Sequence, residues 1–375
     1  MFKNIVYLPE GYTSQIPVIK QFMTKVRIKD IAEIANVSIG TVDRVIHKRG
    51  EVSPKTREKI QKLLEEFDYK PDIAARSLAL KRDIHLAVVM PKVVKGHTFW
   101  ELPQQGIRQA LDALEHNQVT IHPFYFDQLD RIGFLDILKN FPYETVEGVL
   151  FAPVFEEEST AFLKRCSEEQ VPVILFNSLL EAQAVRSYVG QDAYHSGYVA
   201  AKLISYGLEE GRDLAIVNMS ARKDHYAHII EREKGFRAFF ASSECHPEHL
   251  ISIDLNGADD LLLKEKLSEI CASYDIAGLY VTNSRVHKVA RFLLETRRDR
   301  VRLVGYDLLP ENIEFLKQDG IDFLLSQKPE EQAFQGLNSL YNLVVFNREP
   351  AKRQWLPIDI ITRENLAYYK PKSFD

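Results

Sequence analysis

Six short apolar runs constrain this chain more than any other feature: "HLAVVMP" (85–91), "GVLFAP" (148–153), "VPVILFN" (171–177), "DLAIVN" (213–218), "AGLYVTN" (277–283) and "VRLVGYD" (301–307). Helical stretches such as "GIRQALDALEHN" lie between them. Strands too apolar to keep one face in water, alternating with helices, predict parallel sheets covered on both faces. Two sets of such runs predict two lobes. In sheets of this kind a ligand sits beyond the carboxyl ends of the strands, so the residues standing there matter most. They are His97, Phe99 and Trp100 after the first run, Asn177 after "VILF", Asp192 after "SYVGQ", Asn283 after "LYVT" and Asp307 after "LVGY". Aromatic faces stack on the C–H surfaces of a sugar, while amides and carboxylates pair with adjacent hydroxyls. The set suits a small polyhydroxylated molecule.

A different texture precedes residue 84. Residues 24–82 hold 14 Lys and Arg against 9 Asp and Glu, whereas residues 83–375 hold 32 against 43. The small segment therefore carries +5 and the large one −11, the pattern of a polyanion-binding head on an acidic body. Within "IKDIAEIANVSIGTVDRVI" the apolar positions Ile31, Ile34, Ala35 and then Val42, Val45, Ile46 keep helical spacing on either side of Asn36-Val37-Ser38. Asn36 can adopt the left-handed conformation that ends a helix, Ser38 can cap the next, and Ala32 lets the two approach closely. Burial of Val42, Val45 and Ile46 leaves Ile39, Gly40, Asp43, Arg44 and His47 outside. This is a helix-turn-helix whose second helix enters the major groove of DNA. Ser53-Pro54 opens a third helix carrying Ile60, Leu63, Leu64 and Phe67, and Pro71 forces its end near Tyr69.

Length and composition fit two or three globular units. The cysteines Cys166, Cys245 and Cys271 match no zinc spacing and fit a reducing compartment. "MFKNIVYLPEGYTSQ" lacks the apolar run of a signal peptide, and no stretch of about 18 apolar residues occurs, so a cytoplasmic protein is expected. His225 and His228 in "DHYAHI" have no third ligand at a metal-binding spacing, and "SARK" (220–223) fits a Ser-x-x-Lys pattern by letter only. No phosphate loop, nucleophile elbow or HExxH is present, so neither enzymatic activity nor a cofactor or metal is expected.

The stretch "IKDIAEIANVSIGTVDRVIHKRGEVSPKTREKIQKLLEEFDYKPDIAARSLALKR" resembles the DNA-binding head and hinge of the LacI/GalR family of bacterial transcription regulators, through "VSIGTVDRV", "VSPKTREKI" and "YKPDIAARSLA". The resemblance implies a small all-α helix-turn-helix domain joined by a hinge to an α/β two-lobed periplasmic-binding-protein-like (type I) domain. Residues 25–70 are expected to form the head, 71–82 the hinge and 83–375 the ligand-binding and dimerisation domain. Residues 1–24 read as an extension, with Met23 as an alternative start. The two lobes are expected at about 84–188 plus 320–349, and 189–319 plus 350–366.

By the same resemblance, Ile39, Gly40 and Arg44 occupy base-reading positions, and Arg44 can donate two bonds to guanine. Ser38 and Thr41 are placed for phosphate, His47 lies on the outer face, and Leu78 matches the hinge leucine that wedges into the minor groove. Two departures stand out: Gly40 has no side chain to read a base, and Asp43 is acidic where serine is common. In the body, "GHTFW" supplies Phe99 and Trp100, "VILFNS" Asn177, "GQDAYHSG" Asp192, "EREKGF" Arg232, "VTNS" Asn283, "VGYD" Asp307 and "SQKPEEQAFQG" Gln327. Asn177 and Ser284 replace frequent aspartates, so the sugar itself stays open.

The function implied is a homodimeric repressor of carbohydrate-utilisation genes that binds operator double-stranded DNA and responds to a small sugar between its lobes. A periplasmic sugar-binding transport component and a regulator of purine or sugar-phosphate response are the alternatives. The head weighs against the first and the shortage of basic strand-end residues against the second.

Overall fold

In a computed structural model, residues 26, 28–46, 50–67, 69, 83–94, 98–114, 118–220, 227–256, 260–298 and 300–369 are described. The chain divides into two units at Lys81/Arg82. Expectations for His47, Leu78, His97, His225 and the segment before residue 26 lie outside the described residues.

The first unit contains α1 (Ile28–Ala35), α2 (Ile39–Ile46) and α3 (Pro54–Glu66). Asn36 between the first two has φ 55°, a conformation its short polar side chain tolerates. Ser38 accepts a bond from Thr41 N at 3.1 Å, and Ser53 caps α3 by accepting from Thr56 N at 3.3 Å, with Pro54 in the first turn. Ile31, Ala32, Ala35, Val42, Val45, Ile60, Leu63 and Phe67 form one small core. Lys59 Nζ donates to Ala35 O at 2.9 Å, satisfying a carbonyl left open where α1 ends.

The second unit runs β1 (Ile84–Pro91), α4 (Glu101–Ala113), β2 (Val119–Phe126), α5 (Arg131–Lys139), β3 (Gly148–Phe151), α6 (Glu156–Glu168), β4 (Val173–Phe176) and β5 (Val185–Gly190). It continues through α7 (Ala193–Ser205), β6 (Asp213–Ser220), α8 (Ala227–Ser242), β7 (Leu250–Asn256), α9 (Asp260–Ser273), β8 (Ile276–Val281), α10 (Val286–Glu295), β9 (Arg302–Tyr306), α11 (Pro310–Lys317) and β10 (Phe323–Ser326). It closes with α12 (Pro329–Phe346), β11 (Arg353–Trp355) and β12 (Asp359–Ile361).

The strands form two six-stranded sheets, ordered β11-β5-β4-β3-β1-β2 and β12-β10-β9-β8-β6-β7. All pairings are parallel except β10 with β12. Strands such as β3 and β4, buried at every position, need helices on both faces, and each sheet has an apolar cluster on either side.

The lobe boundaries differ from expectation. Residues 323–326 pair with β9 and belong to the second sheet, whereas 353–355 pair with β5 and belong to the first. The crossings between lobes therefore fall at 190–193, 326–329 and 355–359. Leu324 and Leu325 are fully buried, and only an interior strand of the second sheet provides that burial. Gln191 ties the crossings together, donating through Nε2 to Ser326 O at 3.0 Å and Pro357 O at 3.3 Å.

Candidate DNA interface and effector cleft

On α2, Val42 and Val45 face the small core, which leaves Ile39, Gly40 and Arg44 exposed and Asp43 half-buried. Ile39 is 52% exposed, an apolar side chain held in water at the start of the helix. The aliphatic stem of Arg44 lies beside Gly50, where a Cβ would stand 3.3 Å from Arg44 Cδ. Gly50 has φ +64°, so glycine serves both the turn and the stem. Ser38 Oγ and Thr41 Oγ1 are 2.9 Å apart and exposed. These groups form one outward face, with the positive end of the α2 dipole beneath it.

In the body, the expected site residues fall into two groups. Arg232, Asp307 and Gln327 are buried together where β9 and β10 end. Asp307 has φ 68°, and its carboxylate accepts from Gln327 N at 3.1 Å and Gln327 Nε2 at 2.6 Å. Gln327 Oε1 accepts from Arg232 Nη2, so one amide joins cation to anion and its orientation is fixed by both. Arg232 Nη1 donates to Thr282 O at 2.6 Å, and the guanidinium stacks 3.7 Å above the Tyr306 ring centroid. Arg232 Nε is buried without a hydrogen-bond partner among the described residues. Burial pushes the Asp307 carboxyl up to about 6, a rise held back by Arg232 and by the two Gln327 donors.

Glycine places Arg232. α7 and α8 touch backbone to backbone: a Cβ on Gly197 would meet Arg232 O at 1.9 Å, and one on Gly235 would meet Tyr194 O at 1.8 Å.

Asn177, with φ 67°, ends β4, and its N–H donates to Gln332 Oε1 at 2.8 Å. Gln332 Nε2 donates in turn to Gln327 O at 2.8 Å. A continuous line of amides thus runs from Asn177 in one lobe to Asp307 in the other. Ser178 Oγ also meets His228 Nδ1 across the lobes at 2.7 Å. Burial and the Arg232 charge hold His228 well below the usual histidine range, so the ring is neutral near pH 7.

Three expected residues are committed locally. Asp192 caps α7, accepting from His195 N at 2.9 Å, and its second oxygen lies 2.9 Å from His195 Nδ1. Asn283 Nδ2 donates to Met219 O at 2.5 Å and its oxygen accepts from Arg285 N at 3.1 Å, clasping the ends of β6 and β8. Trp100 is a core residue at 5% exposure, edge-on to Phe176 with its indole N–H on Gln128, while Phe99 beside it is half-buried. Gln332, Ser178 and His228 escaped sequence reasoning as site residues. Gln332 had a readable signal, a polar side chain on the stripe Ala333, Gly336, Leu337, Leu340 that α12 buries.

Residues 27–72 match the family described as bacterial regulatory proteins, lacI family, and residues 86–348 match the periplasmic binding protein domain. The HTH-type transcriptional regulator DegA of Bacillus subtilis (strain 168) is 31% identical over 185 residues, 49% of this chain and 53% of that protein. The chain thus aligns with about half the length of that relative. The sucrose operon repressor of Lactococcus lactis subsp. lactis is 25% identical, over 75% of this chain and 83% of that one. A crystal structure described as a LacI transcriptional regulator from Bacteroides fragilis superposes with a TM-score of 0.69 at 27% identity, covering 77% of this chain and all of that one.

Proposed function

For this chain, which belongs to the lacI family of bacterial regulatory proteins and carries a periplasmic binding protein domain as its body, we propose a sugar-controlled repressor of carbohydrate-utilisation genes. The observation that carries this reading is the presence, in one chain, of an exposed recognition helix and a buried Arg232–Gln327–Asp307 relay at the cleft. The head contacts operator double-stranded DNA through Ser38, Ile39, Gly40, Thr41 and Arg44, with His47 and Leu78 completing the contact. Two copies act as a homodimer, because a single small head makes too few contacts for specific affinity. The cytoplasm is the compartment this requires. No helix among the described residues is long and apolar enough to cross a membrane.

The effector is a small neutral sugar bound between the lobes by Phe99, Asn177, Arg232, Asp307 and Gln327, while Trp100, Asp192 and Asn283 shape the site through their local contacts. Its hydroxyls donate to the Asp307 carboxylate and accept from Arg232 Nε, the buried donor that has no partner among the described residues. Arg232 already serves Thr282 and Gln327, which disfavours an anionic ligand. Sugar alters DNA affinity only so far as it prefers one arrangement of the lobes, and DNA alters sugar affinity by the same factor.

The test is fluorescence anisotropy on DNA selected from a random pool, repeated across a panel of monosaccharides. Selection of a palindromic site whose affinity changes at least tenfold with one sugar is the expected result. Enrichment of no sequence, or turnover of a sugar, overturns the proposal.

A further inference from the structure

Away from the cleft, two histidines meet on the first sheet. His85 of β1 and His122 of β2 are diagonal neighbours, since His85 pairs with Thr120 and Ala87 with His122. His85 Nδ1 and His122 Nε2 lie 2.9 Å apart, and the ring centroids are 5.2 Å apart. Both side chains are half-buried, so solvent reaches them while the strands fix their positions. Glu147 adjoins the pair: its carboxylate accepts from His85 N at 3.3 Å, and its own N–H donates to His85 O at 2.8 Å.

We propose that His85 and His122 form a bidentate site for a divalent transition-metal ion such as Zn2+, Ni2+ or Cu2+, with water in the remaining positions. Imidazole nitrogens bind such ions at roughly 2.0–2.1 Å. Two ligands at that distance stand about 2.9 Å apart at a right angle and about 3.3 Å apart at a tetrahedral angle. The observed separation matches the first value, and a small swivel of the rings reaches the second.

Entry of the ion replaces one N–H···N bond by two metal–nitrogen bonds. The ring that donates this bond passes its inner proton to solvent and takes one up on its outer nitrogen, so each ring ends neutral with its single proton on Nε2 of His85 or Nδ1 of His122. No oxidation occurs and no net proton is lost. Among the described residues no group of three or more His, Cys, Asp or Glu gathers to hold a metal, so this is a two-ligand, exchangeable site. Its position gives it consequence. His85 lies three residues beyond Arg82, where the second unit begins, and an ion there pins β1 to the edge strand β2 at the end where the chain enters.

Paramagnetic resonance of the full chain with one equivalent of Cu2+ tests this, together with Zn2+ and Ni2+ titration calorimetry. The expected spectrum shows coupling to two nitrogens, and His122→Gln or His85→Gln lowers affinity at least tenfold. His246→Gln, at an exposed histidine elsewhere, leaves both readouts unchanged. His122 stands on an edge strand, so its replacement remains informative if His85→Gln fails to fold. A spectrum without two-nitrogen coupling, or equal affinity in the wild type and His122→Gln, overturns the site.

Discussion

The two lobes of the body share one strand order, 2-1-3-4-5 with a late extra strand, yet they bring different chemistry to the cleft. The first contributes an apolar wall, with Trp100 edge-on to Phe176 in a core that also holds Leu86, Val88 and Leu150. The second buries a cation, a carboxylate and two tyrosines, whose hydroxyls meet at 2.7 Å and continue to Ser196 at 2.8 Å. Both use glycine to seat a helix pair. Gly106 admits Glu330 O against α4 in the first lobe, as Gly197 and Gly235 join α7 to α8 in the second. The backbone plan is therefore common, and the side chains alone make one lobe a wall and the other a polar anchor.

The polar anchor should be the costlier to disturb. Arg232→Met leaves Asp307 buried without its nearest cation and Thr282 O without its donor. A loss of about 3–5 kcal/mol is expected, the range for breaking a buried pair by removing one member. Urea unfolding measures it, and a loss below about 1 kcal/mol would remove the distinction between the lobes.

The second contrast is in pH. The Asp307 carboxyl, raised to about 6, binds more protons folded than unfolded between about 4 and 6. Its ionisation therefore costs stability, and stability returns as pH falls through about 6, by an amount on the order of 2–3 kcal/mol. His228 has the opposite sign: its folded value lies below the unfolded 6.5, so its contribution is full above 6.5 and is lost as pH falls below it. Asp307→Asn should then show only the acid loss and His228→Gln only the acid gain, read from thermal midpoints between pH 4 and 8. Sugar affinity in the wild type should fall as pH drops through about 6. A flat titration would mean that the carboxylate does not accept from the ligand.

Cutting the link between the lobes should cost less. Gln332→Leu strands Asn177 N and Gln327 O, and a loss of about 1–3 kcal/mol is expected for leaving buried groups unpaired. If the amide line couples the lobes, the variant still binds sugar and operator but no longer transmits one to the other. Full response in anisotropy would assign Gln332 to packing. The smallest effect belongs to the head, where Ser53→Ala removes the α3 cap for about 1 kcal/mol while leaving sugar affinity unchanged.

Local signals were legible in proportion to how local their physics is. Asn36 and Ser53-Pro54 announce the stop and start of helices through their own backbone preferences: α1 ends just before Asn36, and α3 begins at Pro54 with Ser53 as its cap. Asp307 and Asn177 at strand ends were readable because small polar residues tolerate the left-handed turn that carries the chain off a sheet. By contrast, "FLLS" (323–326) can join either sheet by its letters, and only its pairing with β9 puts it in the second lobe. Asp192 and Asn283 carried the right residue types, yet their hydrogen bonds go to a helix end and to a neighbouring strand.

What the sequence determined by itself is the kind of protein: a basic three-helix head whose turn and caps are written in adjacent residues, and an acidic body of fully apolar strands. Periodicity and capping act over a few residues, so one dimension suffices to express them. Only the tertiary structure decided which polar groups meet. Arg232, Gln327, Asp307, Gln332 and Asn177 come from four separate stretches, joined because parallel strands end side by side and because three crossings hold the lobes together. Burial then does the rest, since in a low-dielectric interior each polar group must find its partner across the fold.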